Sequence, residues 1–135
     1  MARREIKHPN RNAYTGGYAD GVVLDRWLYV SGQGPLDLST GKVVPGTIEE
    51  ETKLTLENVA AVFGQVGCTK ADVAKCTCFL SKIEDFKGFD KAFSSFFQGV
   101  RPARTTVQAV LGLGIKVEID AVALIPSSSK GNEND

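Results

Sequence analysis

The chain is 135 residues long, 42% hydrophobic, and carries 16 basic and 16 acidic side chains for a formal net charge of zero. That is the size of one ordinary domain with apolar residues for a single core. The neutral balance argues against a nucleic-acid binder, whose basic face has no counterpart beyond Arg3, Arg4 and Lys7 at the terminus.

Residues 3–8 read as a short edge strand, and a loop rich in Asn, Tyr and Gly follows over 10–21. Two apolar runs, 22–24 and 27–31, flank Asp25-Arg26, a two-residue hairpin signal. Residues 37–41 form a turn. Thr47-Ile48-Glu49-Glu50 is a capping box, so a helix starts near Thr47. Ile48, Thr52, Thr55, Val59, Val62, Phe63 and Val66 recur at helical spacing before Gly67 ends the run.

Residues 73–80 read as a central strand. A second helix is expected over 83–98, where Phe86, Phe89, Phe93, Phe96 and Phe97 make a stripe that belongs in a core. Residues 103–110 and 116–125 are the last two strands, joined by a glycine-rich segment over 111–114. From 126 the chain is polar and lacks apolar anchors, which predicts a disordered tail to 135 after a single domain over 1–125.

The order predicts an α+β fold, with about six strands in one mixed sheet and both helices on one face. Val22, Leu28, Val30, Cys76, Cys78, Val107, Val117 and Ile119 are not expected to point all toward the helices, given strand alternation. The uncovered face should then bury itself against another copy of the chain. No apolar run reaches the ~20 residues that span a bilayer, and no signal-peptide pattern opens the chain. No membrane partner is therefore expected, and the expected compartment is cytoplasmic.

Cys68, Cys76 and Cys78 are odd in number, with one distant histidine, His8. Zinc wants about four ligands, so these thiols read as buried small hydrophobes and no metal site is expected. The same lone histidine leaves no Ser-His-Asp or Cys-His arrangement. Gly32-x-Gly34 and Gly112-x-Gly114 lack the Lys-Ser/Thr of a phosphate loop.

What remains is Arg104, at the start of a strand with one packed face. An arginine is costly there unless an anion meets it. It is either half of a structural ion pair or the two-armed grip of a site for a small carboxylate. If the last two strands form a hairpin, Gln108 lies opposite Glu118. Arg104 and Glu118 then share a face but sit ~13 Å apart along the strand, too far for a direct pair. Such a site would be closed by substrate and water, or by a neighbouring chain.

Four segments in order carry a family resemblance over about residues 10–125: Gly17-Tyr18-x-x-Gly21, Tyr29-Val30-Ser31-Gly32-Gln33, Arg101-Pro102-Ala103-Arg104, and Lys116-Val117-Glu118-Ile119-Asp120-Ala121-Val122-Ala123. The chain resembles the RidA (YjgF) family of imine deaminases, in older usage endoribonuclease L-PSP. The resemblance implies a chorismate-mutase-like fold, a homotrimer with clefts between subunits, and hydrolysis of reactive 2-imino acids to 2-keto acids and ammonia without a cofactor. By position, Arg104 matches the carboxylate-binding arginine and Glu118 the residue that positions water. Tyr18, Ser31 and Gly32 match cleft-lining residues, Thr106 stands where cysteine is common, and Asp90 where asparagine is common. Gly17 and Asp20 also depart, from a frequent proline and glutamine. A negative Asp90 would weaken anion binding if it faced the cleft. Two other readings share these residues: a non-catalytic binder of small carboxylates such as 2-keto acids, and a ribonuclease, against which the missing cleft histidine and basic patch argue.

Overall fold

The structure is a computed structural model that describes residues 3–12 and 16–127. Of the expected tail, residues 128–135 lie outside the described residues.

Strands β1 (Arg3–Ile6), β2 (Gly21–Leu24) and β3 (Trp27–Gln33) pair antiparallel in succession. The β2–β3 turn places Asp25 at φ 59°, a left-handed conformation that Asp tolerates better than most residues. A small hairpin of β4 (Leu36–Asp37) and β5 (Lys42–Val43), absent from the sequence reading, occupies the expected turn. Helix α1 (Ile48–Phe63) begins as expected: the Thr47 hydroxyl accepts from Glu50 N at 3.1 Å, and Thr47 N donates to Glu50 Oε1 at 2.8 Å. A 3-10 turn extends it to Val66, and Gly67 at φ 80° ends it.

Then come β6 (Val73–Leu80), α2 (Phe86–Phe97), β7 (Ala103–Gln108) and β8 (Val117–Leu124). Helix α2 starts three residues later than expected because residues 83–85 form a 3-10 turn. Phe89, Phe93 and Phe97 are buried, with neighbouring rings 5.6 and 4.8 Å apart, and Phe96 packs beside them.

The strands form one sheet in the order β1-β2-β3-β8-β6-β7. Every pairing is antiparallel except β6–β7, which is parallel and joined through α2. The last two strands are thus not the hairpin considered from sequence. β8 runs between β3 and β6, and leaves β7 at the edge. The reason is the α2 crossover: it makes β7 parallel to β6, and the glycine-rich turn then carries the chain past β6 to its other side.

Register divides the eight apolar strand residues between the two faces, as strand alternation requires, but unevenly. Leu28, Val30, Cys76, Cys78, Val117 and Ile119 are all buried, and they do share the helix-covered face. Only Val22 and Val107 of the eight lie on the other side. That open face is nonetheless apolar, through Trp27, Tyr29, Phe79, Val122 and Leu124. The conclusion that it needs a cover stands on those residues instead.

Candidate functional site

Arg104 pairs with Cys76, which pairs with Ala121, so Arg104 belongs to the helix-covered face at the sheet edge. Its guanidinium lies 4.8 Å from the Phe93 ring centroid, 5.2 Å from Phe89 and 5.4 Å from Phe86. The phenylalanine stripe therefore has a second use beyond packing, since three ring faces hold one cation in place. Arg104 Nη1 donates to Asp90 Oδ1 at 2.8 Å. The two side chains are 22% and 44% exposed, a setting in which an ion pair contributes ~0–1 kcal/mol.

Arg11 shows what a purely structural pair looks like here. Its Nε and Nη2 both donate to Asp20 at 2.8 Å, and Asp20 is fully buried. Arg104 makes one hydrogen bond to the described residues, and its remaining N–H groups make none. Asp90 and Arg104 line a cleft of 380 Å³ together with Phe93, Phe97, Arg101 and Pro102. Thr106 lies two residues along the same strand and face, paired with Cys78. The outer edge of β7 has no strand partner among the described residues.

Glu118 lies elsewhere. It pairs with Phe79, which pairs with Val107, and this row belongs to the open face. Ser31 and Gly32 occupy the irregularity between Val30 and Gln33 where β3 shifts register against β8. Gly32 sits directly against Glu118: a Cβ added there would stand 2.9 Å from the carboxylate carbon. Burial, helped by the charge of Asp120, raises the Glu118 pKa above its ordinary value. No described residue donates a hydrogen bond to its carboxylate.

Ser31 neighbours Gly32 in the β3 irregularity on the Glu118 side. Ser31 Oγ donates to Ala19 O at 2.6 Å and Ser31 N to Asp20 O at 2.8 Å, which ties the Tyr18 loop to the β3 irregularity. Tyr18 is 47% exposed. Beneath it the sequence reading missed a buried polar network. Asp20 Oδ2 accepts from His8 N at 2.8 Å, His8 Nδ1 accepts from Asn10 N at 3.1 Å, and His8 Nε2 meets Asn58 Oδ1 at 3.1 Å. Asn58 Nδ2 donates to Gly34 O and Leu36 O, so its oxygen is the acceptor and His8 is neutral with the proton on Nε2. Burial lowers the His8 pKa. Burial alone would raise Asp20, but the bonds from Arg11 and His8 hold its pKa below the usual value. Only the departure at Asp20 hinted at this network.

The sequence-predicted residues thus form two groups, Arg104 with Asp90 and Thr106, and Glu118 with Gly32 and Ser31, with Tyr18 on the loop that Ser31 ties to β3. One chain does not bring them together, because β6 separates their strands and they open on opposite faces. The three cysteines are buried free thiols. Burial raises Cys68 to about 11 and Cys76 to about 12, and pushes Cys78 higher still, so none is a thiolate nucleophile.

The profile of the family described as Endoribonuclease L-PSP matches residues 9–125. The rat 2-iminobutanoate/2-iminopropanoate deaminase is 38% identical over 125 residues, which covers 92% of this chain and 91% of that protein. A Rid-family protein, YyfA from Yersinia pestis, superposes with a TM-score of 0.86 at 33% identity, covering 92% of this chain and 100% of that one. The E. coli protein TdcF, solved with bound serine, gives a TM-score of 0.82 at 30% identity over 90% of this chain and 98% of its own. The chain belongs to the Endoribonuclease L-PSP family, the RidA (YjgF) family.

Proposed function

We propose that this protein is a hydrolytic deaminase of small 2-imino acids. Arg104 grips the substrate carboxylate and Glu118 aligns the attacking water. The observation that carries the reading is the guanidinium of Arg104: three quarters buried, fixed over three phenylalanine rings, yet hydrogen-bonded through one nitrogen only. The spare N–H groups are open to the cleft and not sealed in the core, so an acceptor that enters the cleft can reach them in the two-armed geometry that suits a carboxylate. Similarity to the rat deaminase along nearly the whole chain supports the same chemistry.

Water adds to the imine carbon and the C–N bond of the resulting carbinolamine breaks. In sum, R–C(=NH2+)–COO− and H2O give R–C(=O)–COO− and NH4+. Imine hydrolysis is fast in water, so a few kcal/mol of barrier lowering suffices and no covalent nucleophile is needed. Positioning supplies it: the carboxylate fixes the carbon, and Glu118 orients water and accepts its proton. A half-buried carboxylate with no hydrogen-bond donor among the described residues, its pKa raised, suits that task.

Because the two groups open on opposite faces, a complete site takes Arg104 from one copy and Glu118 from another. The apolar open face and the free edge of β7 are the surfaces available for such packing, and a homotrimer satisfies both. Thr106 and the β7 edge peptides lie on the Arg104 side of that site; Tyr18, Ser31 and Gly32 lie on the Glu118 side.

A coupled assay tests the proposal: an enzyme that eliminates water from serine or threonine supplies the imine, and keto-acid formation is followed. Acceleration over buffer, lost in Arg104→Ala, is expected. No acceleration, or full activity in that variant, overturns it. Stabilisation by pyruvate or 2-ketobutyrate without turnover would assign the cleft to carboxylate binding alone.

A further inference from the structure

The cleft that holds Arg104 is lined by three charged side chains, Asp90, Arg101 and Arg104, and two of them form a pair. Resting on the deaminase reading, we infer that Asp90 is a second specificity-determining residue, and that the Asp90–Arg104 pair selects zwitterionic 2-iminium acids over 2-keto acid anions. Asp90 Oδ1 and Arg104 Nη1 stand 2.8 Å apart on the wall of one cleft. Asp90 is 44% exposed, and no described residue other than Arg104 bonds to its carboxylate.

A ligand that carries only a carboxylate meets the guanidinium at the cost of approaching this second carboxylate. A 2-iminium acid carries its negative and positive groups on adjacent carbons. It can set the carboxylate on the spare nitrogens of Arg104 and the iminium N–H on Asp90, so that both members of this pair are matched. Phe93, Phe97 and Pro102 in the same wall leave room for a small apolar side chain.

The selection has a chemical consequence. Water attacks the protonated imine far more readily than the neutral one, and a carboxylate beside the nitrogen favours the protonated form. After C–N cleavage the keto acid has no cation for Asp90. It is then held by arginine without the matching contact to Asp90, against whose repulsion it leaves. The pair thus discriminates substrate from product by the one group that the reaction removes.

The test is equilibrium binding to the full-length protein by calorimetry, with serine as an unreactive zwitterion and pyruvate as the product-like anion. The unmodified protein should bind serine more tightly than pyruvate. In Asp90→Asn the order should reverse, through a loss for serine and a gain for pyruvate of roughly tenfold each. Asp90 is partly exposed and its pair weak, so the melting temperature of the variant reports whether the fold is retained; Asp90→Ser serves as a second variant if it is not. An unchanged serine-to-pyruvate ratio in a folded variant, or tighter pyruvate binding by the unmodified protein, overturns the inference. If the ratio is unchanged while imine hydrolysis still depends on Arg104, only this inference fails. If hydrolysis is absent while the ratio shifts as expected, the deaminase reading fails and the zwitterion selectivity stands.

Discussion

Arg104 and Glu118 stand on opposite faces of one sheet, with β6 between their strands and three positions of register separating their rows. Two strand spacings and three residues put their Cα atoms ~14 Å apart. Neither a substrate of a few heavy atoms nor one water spans that gap through a packed sheet. The proposed chemistry therefore depends on assembly, and it can be checked by complementation.

Arg104→Ala and Glu118→Gln should each be nearly inactive alone. In a closed ring where each site combines Arg104 of one copy with Glu118 of the next, every mixed trimer regains one intact site. Refolding equal amounts of the two variants together should restore about a quarter of the wild-type rate. A mixture as inactive as its components would place both groups of a site in the same chain.

Glu118 makes the acid side of the pH profile informative. In the proposed reaction it must be charged to accept a proton from water, and burial and Asp120 raise its pKa above 4.5. Enzymatic rate over buffer should therefore fall with acidification at a higher pH than an ordinary glutamate dictates. Asp120→Asn removes one of the two causes and should move that limb to lower pH. A raised folded-state pKa also costs stability wherever the group is charged. Glu118→Gln should thus melt higher than wild type at neutral pH, with the advantage vanishing as pH falls below the folded pKa.

Gly32 is predicted to matter through the space it leaves. Alanine there drives its methyl group into the Glu118 carboxylate, the movable end of a side chain. Stability should change by less than ~1 kcal/mol, because the carboxylate can swing aside. Activity should drop at least roughly tenfold, since the carboxylate proposed to align water is displaced. Wild-type kcat/KM in a Gly32→Ala protein would sever the link between the β3 irregularity and the reaction.

The Arg11–Asp20–His8 network predicts loss of stability in acid. Folded His8 has a pKa below 6.5, so as pH falls below 6.5 the unfolded chain takes up the proton first and stability declines. Asp20, whose folded pKa is below 3.8, adds a second loss as pH falls further. Asp20→Ala leaves the buried Arg11 uncompensated and should cost ~3–5 kcal/mol in urea unfolding. If this variant unfolds like wild type, the pair is not the anchor of the Tyr18 loop.

The elements themselves were legible because their signals are local. The capping box at Thr47, the Asp25-Arg26 turn and the period-four phenylalanines each act within a few residues, and each stands where the pattern put it. The quartet of motifs likewise sufficed for the family. What local pattern could not supply was which strands are neighbours. Alternation tells which residues of one strand share a face, and says nothing of whether two strands point those faces the same way.

Local patterns along the chain established the α+β class, the start of α1, the buried thiols and the residue types available for chemistry, all properties of short stretches of chain. The tertiary structure decided that β8 inserts between β3 and β6, because the parallel β6–β7 crossover leaves β7 at the edge. That single pairing turned Arg104 toward the phenylalanines and Glu118 toward the open face. Strand order is an outcome of long-range packing among elements far apart in sequence, and it alone divided the candidate site into two halves.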